Sequence, residues 1–128
     1  MKILGVGIDI IKNNRLKILT QKKNFILRTF SKNEINLSKK KNARIAFFAK
    51  RFAAKESFSK SIGTGIRDNL NFKDIEILND KFGKPYFRKT KKINNFIYKN
   101  FKVKKYNLFL SISDEKDYSI AFTIIQKQ

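Results

Sequence analysis

The sequence predicts an α+β fold in which a mainly antiparallel sheet packs on one long central helix. Three observations carry that reading. Residues 2–11 form an Ile- and Val-rich run of strand character, residues 43–62 form a long stretch free of Gly and Pro, and residues 107–113 and 118–126 form two β-like segments separated by a short polar turn. A chain of 128 residues predicts one domain, spanning 1–128, able to bury about two thirds of its unfolded surface.

Taken in order, residues 2–11 (KILGVGIDII) read as a buried strand. A period of two places Ile3, Gly5, Gly7 and Asp9 on one side, with the glycines leaving space beside the carboxylate. Residues 13–30 carry Leu16, Leu19, Phe25, Ile26 and Phe30 among basic and amide residues, which suggests one or two short amphipathic helices. Ser31-Lys32-Asn33-Glu34 has the spacing of a capping box, so another helix starts there. The 43–62 stretch, rich in Ala, Phe and Lys, is the long helix, and Gly63-Thr64-Gly65 ends it. Residues 74–79 and 85–88 make a hairpin across Asp80-Lys81-Phe82-Gly83-Lys84. Thr90 can cap a helix running through Ile93, Phe96, Ile97 and Phe101 before the two final strands.

Composition narrows the chemistry. Without Cys there is no disulfide, thiolate nucleophile or Cys-based metal site, and without His the usual general base near neutral pH is missing. Catalysis would need carboxylates, Lys, Tyr, hydroxyls, water or a bound metal. Lys and Arg number 30 against 10 Asp and Glu, so the net charge of +20 favours an anionic partner and admits a non-enzymatic RNA- or polyanion-binding protein. No zinc finger, RNP-like strand or GXXG loop accompanies that charge. The 2–11 run is too short to span a bilayer, is interrupted by Asp9 and lacks a small-residue cleavage site, so the expectation is a cytoplasmic protein.

Against so few carboxylates, two stand out. Asp9 lies inside an apolar strand, where an ionised group needs a salt bridge or a metal. Glu56 shares a helix face with Phe52, Ser59, Lys60 and Gly63, with Lys55 on the adjoining flank; taken alone, a surface Glu56–Lys60 pair explains it better than a functional site does. Gly63-Thr64-Gly65 is either a phosphate-cradling turn or a plain helix stop, and Lys84 between Gly83 and Pro85 either presents an ammonium at a hairpin tip or is ordinary turn chemistry.

Taken together, Gly5-Val6-Gly7-Ile8-Asp9-Ile10, the 51–60 segment RFAAKESFSK followed by Gly63-Thr64-Gly65-Ile66, and Gly83-Lys84-Pro85 resemble the holo-acyl-carrier-protein synthase family in order and spacing. The resemblance implies a 4′-phosphopantetheinyl transferase-like domain that moves the 4′-phosphopantetheine of coenzyme A onto a serine of apo acyl carrier protein, with Mg²⁺. It implies Asp9 and Glu56 as metal ligands, Glu56 and Lys60 as catalytic residues, and either Glu56 or a metal-bound water as the base. By the same resemblance, Lys55, Lys60, Gly63, Thr64, Gly65, Lys84, Pro85 and Ser111 lie at the coenzyme A site. Arg15 and Arg28 would face the acidic carrier protein, and a homotrimer would place active sites at subunit interfaces, with neither nucleic acid nor membrane insertion involved. One departure is plain: where the family carries a His-x-Ser-x-[Ser/Thr]-His pattern, this chain has Phe109-Leu110-Ser111-Ile112-Ser113-Asp114, so both histidines are absent.

Overall fold

A computed structural model describes residues 2–63, 65 and 70–128. Strand β1 (Lys2–Lys12) leads into three short helices, α1 (Asn13–Leu19), α2 (Lys23–Thr29) and α3 (Lys32–Ser38), and then the long α4 (Arg44–Ile62). A 3-10 turn at Phe72–Asp74 precedes a small hairpin, β2 (Ile77–Asn79) and β3 (Pro85–Phe87). Helix α5 (Lys91–Phe101) and the paired strands β4 (Tyr106–Asp114) and β5 (Tyr118–Lys127) complete the fold. The main sheet has the order β1-β5-β4 and is antiparallel throughout, so the first strand closes against the last.

Local chemistry accounts for the elements. The Ser31 hydroxyl accepts from the Glu34 amide while the Glu34 carboxylate accepts from the Ser31 amide, which is the expected capping box, and Thr90 caps α5 through the Ile93 amide. Helix α4 ends at Gly63, whose φ is 88°.

Helix α4 is the axis of the molecule. One side lies on the inner face of β1 and β5, where small residues let the backbones approach: a Cβ on Gly5 would stand 1.8 Å from the Ser61 carbonyl oxygen, and one on Gly7 1.8 Å from that of Ser57. The Ser57 hydroxyl meets the Thr123 hydroxyl at 2.6 Å across the same contact. The opposite side is aromatic, with Phe25, Phe30, Phe47, Phe48 and Phe52 packed ring against ring at centroid distances of 4.6–6.1 Å. Burying each such ring contributes about 2–3 kcal/mol.

The strand differs from expectation in two ways. A register shift between Ile3 and Gly5 turns Ile3 away from Gly5, Gly7 and Asp9 and onto the outer face. That outer face is also open: Val6, Ile8 and Ile10 are more than half exposed, and Phe109, Ile120 and Phe122 beside them are partly exposed. The apolar run of 2–11 predicts burial on both sides, but a single chain covers only one.

Candidate active site

The close approach of β1 to α4 is what builds the site. Gly5 lies over Ser61 and Gly7 over Ser57, so two strand residues step four helix residues, and the next inward residue, Asp9, arrives beside the flank of α4 that carries Glu56. Helical side chains lean toward the N-terminus, which brings Lys60 back one turn. Its ammonium donates to Asp9 Oδ1 at 3.1 Å. The Glu56–Lys60 surface pair that spacing alone allows is therefore not the ion pair formed.

The electrostatics of this cluster are unbalanced. Burial raises the Glu56 pKa above the usual value, the neighbouring Asp9 charge raises it further, and Lys60 and Arg15 oppose the rise without cancelling it. Lys60 is more than half exposed, so its charge is well hydrated and screens weakly. Two carboxylates held together with insufficient positive charge suit a hard divalent cation, and a carboxylate of raised proton affinity suits proton acceptance. Among the described residues no group of three or more His, Cys, Asp or Glu side chains could hold a metal. A cation at Asp9 and Glu56 would thus draw most of its oxygen ligands from water and substrate, as Mg²⁺ at phosphate sites does.

Other predicted residues are distributed differently. Arg15 lies beside this cluster, its guanidinium 6.0 Å from the Phe52 ring, and Arg28 is exposed on α2, bordering a cavity of about 420 Å³ with Thr29 and residues 70–73. Gly63 and Gly65 follow α4, and Gly65 lies near the Ser59 hydroxyl; Thr64 falls outside the described residues. Lys84 and Pro85 belong to the hairpin, which is tied to α4 at Arg51, nine residues before Lys60 and roughly 13 Å away along the helix axis. Ser111 is exposed on the outer face of the sheet, opposite the side that carries Asp9, and Phe109 and Asp114 are also exposed.

Lys55 requires correction. Its side chain is fully buried, and its three ammonium hydrogens go to Glu34 Oε1 at 2.7 Å and to the carbonyls of Phe72 at 2.8 Å and Ile75 at 2.7 Å. Every donor is committed inside the fold, so Lys55 braces α4 against α3 and the Phe72–Asp74 turn instead of contacting coenzyme A. Phe48, Phe52, Lys55 and Ile62 recur at core-facing helical spacing, and that is the signal by which its burial was legible. Sequence reasoning also missed a cleft of about 770 Å³ between α4 and the hairpin, bordered by Lys41, Lys50, Arg51, Asn79, Lys81 and Tyr86 among others. Apart from Arg51, which opens the 51–60 segment, those cations are scattered in sequence and belong to none of its motifs.

Comparison with known proteins defines the class first. The model of the 4′-phosphopantetheinyl transferase superfamily matches residues 5–123. The holo-[acyl-carrier-protein] synthase of Pelagibacter ubique is 56% identical over 128 residues, covering all of both chains. Among solved structures, the holo-[acyl-carrier-protein] synthase of Neisseria meningitidis superposes with a TM-score of 0.87 at 33% identity over 98% of this chain and 100% of that one. The Bacillus anthracis synthase, solved in complex with CoA (3′,5′-ADP), gives a TM-score of 0.79 at 36% identity over 98% of each chain. The chain belongs to the holo-acyl-carrier-protein synthase family of this superfamily.

Proposed function

We propose that residues 1–128 act as one transferase domain that moves 4′-phosphopantetheine from coenzyme A to a serine of apo acyl carrier protein, in the cytoplasm and in service of fatty acid biosynthesis. The observation that carries this reading is the Asp9–Glu56 carboxylate pair with Lys60 at its edge, on a chain that has no His or Cys of its own. The nucleophile arrives on the partner. The serine oxygen bonds to the pantetheine-side phosphorus, the bond from that phosphorus to the bridging oxygen breaks, and adenosine 3′,5′-bisphosphate leaves.

Asp9 and Glu56 would hold Mg²⁺, which supplies charge neutralisation at the transferring phosphoryl group. Lys60 swings from Asp9 toward the pyrophosphate, its exposed four-carbon stem leaving it free to do so. Glu56, with its raised proton affinity, is a candidate acceptor of the serine proton. Arg15, exposed beside this centre, and Arg28, exposed on the next helix, offer positive charge to the acidic carrier.

Two features support a homotrimer with interfacial sites. The predicted coenzyme A residues are dispersed within one chain: Lys60 beside Asp9, Gly63 and Gly65 after α4, Lys84 and Pro85 on the hairpin, and Ser111 on the outer sheet face. The outer sheet face is an apolar surface of the kind that subunits bury. Packing copies through it would place Ser111 of one chain against another copy.

Incubation with apo carrier, coenzyme A and Mg²⁺ is expected to raise the carrier mass by one phosphopantetheine, and chelation of the metal is expected to stop it. No gain at stoichiometric enzyme refutes the activity. Sedimentation at three times the 15.1 kDa chain mass is expected for the assembly, and a monomer refutes the trimer.

A further inference from the structure

One side chain ties the start of the chain to its last hairpin beside the candidate site. Strand β1 pairs with β5 as far as Lys12, opposite Tyr118, and there the backbone turns into α1. Asn13, the first residue of that helix, is buried. Its Nδ2 donates to the carbonyls of Lys116 at 3.1 Å and Glu115 at 3.3 Å, and its Oδ1 accepts from the Ser119 hydroxyl at 2.8 Å. Its backbone amide donates to the Asp117 carbonyl at 2.8 Å. Ser119 is itself fully buried. Four hydrogen bonds thus fasten the β1–α1 junction to the turn between β4 and β5, whose residues are more than a hundred positions away.

Helix α1 depends on such an anchor. It is seven residues long, too short to hold helical form alone, and no side chain caps its N-terminus. An Asn at a helix start usually turns forward to cap free amides, but this one turns back onto the β4–β5 turn. Leu16, fully buried, pins the helix at its middle. A single apolar pin leaves rotation about it open; a second attachment at Asn13 closes that freedom. Arg15 lies between the two anchors and is exposed. Its guanidinium stands 6.0 Å from the ring of Phe52, one turn before Glu56 on α4. The direction in which a long side chain leaves a helix follows the backbone beneath it, so the bearing of α1 sets where this cation stands.

We infer that Asn13 is a positioning residue that holds Arg15 at the edge of the site through its bonds to the β4–β5 turn and Ser119; the inference rests on the reading of Arg15 as carrier-facing. Asn13→Ala is expected to raise the KM for apo carrier about 3- to 5-fold, the range of one exposed ion pair, with kcat and the KM for coenzyme A unmoved. Arg15→Ala is expected to raise the carrier KM by a similar factor. The double variant is expected to be no worse than Arg15→Ala alone, because both act through one guanidinium. Asn13→Asp keeps the side chain's shape and the bond from Ser119 but has no donor for the two carbonyls, so it should match Asn13→Ala. Ser119→Ala, which removes one bond of the four, should move the carrier KM in the same direction by less. The Arg15 Nε–Hε resonance, shifted by the Phe52 ring, gives a readout without turnover and should move toward its unstructured position in Asn13→Ala. An unchanged carrier KM in Asn13→Ala, a loss confined to kcat, a parent-like Asn13→Asp, or KM increases that multiply in the double variant overturns the inference. An unchanged carrier KM in Arg15→Ala instead refutes the carrier-facing reading of Arg15, and the resonance then decides for Asn13: if it does not move in Asn13→Ala, the positioning role falls as well.

Discussion

Lys55 and Glu56 are neighbours on α4, yet they belong to two charged clusters of opposite design. On one side, Lys55 and Glu34 are fully buried and saturated: the ammonium has three acceptors, and the Glu34 oxygens accept from the Ser31 and Ile77 amides as well as from Lys55. On the other, Glu56 and Asp9 repel each other at the edge of solvent, with the half-exposed Lys60 paired to Asp9. A buried charge must be satisfied within the chain because desolvation costs several kcal/mol per ion. A charge at a binding site must be left incomplete, so that the ligand completes it. One helical step of 100° separates the two duties.

The comparison can be broken at several points. The largest effect is expected from Asp9→Ala or Glu56→Ala, which should lower kcat/KM by about a thousandfold, on the order of the charge stabilisation a transferring phosphoryl group requires, while leaving the circular dichroism spectrum unchanged. Turnover within tenfold of the parent in either variant would remove the pair from the chemistry. Lys55→Met should do the reverse. It removes one of the two cations paired with the buried Glu34, leaving Arg51 at 3.7 Å, so urea unfolding should show a loss of about 3 kcal/mol, and adding Glu34→Gln should recover part of it. A Lys55→Met protein as stable as its parent would show that the network is dispensable.

Gly7→Ala tests the seam between the clusters. With the Ser57 carbonyl in the way, β1 must move off α4; a cost of about 1–3 kcal/mol is expected, accompanied by loss of activity because Asp9 moves with the strand. Full stability would mean that the seam yields easily. The smallest effect concerns pH. Since the folded Glu56 pKa lies above its ordinary value of 4.5, the ionised form is disfavoured by folding, and the resulting penalty is absent below the unfolded pKa and complete above the folded one. Glu56→Gln should therefore raise the melting temperature of metal-free protein at neutral pH and leave it nearly unchanged near pH 4. A lower melting temperature at neutral pH would contradict that sign.

Legibility in the sequence followed interaction range. The capping box at Ser31, the Thr90 cap, the long helix and the hairpin around residues 80–84 are set within a few residues, and each forms as patterned. The register shift at Ile3 depends on β5, more than a hundred residues away, and was not visible. Lys55 was misassigned for a related reason: its partners Glu34, Phe72 and Ile75 come from two other segments, so only assembly reveals that its charge is spent inside.

By itself the sequence determined the α+β class, the order of the elements and the identity of the unusual carboxylates, because periodicity, caps and composition are local properties. Tertiary structure alone decided that Lys60 pairs with Asp9, which groups the buried Lys55 meets, that Ser111 faces away from Asp9, and that Phe82 stands bare on a fixed turn. The first of these depends on how closely β1 approaches α4, and that distance is set by the absence of two Cβ atoms acting across a packed interface.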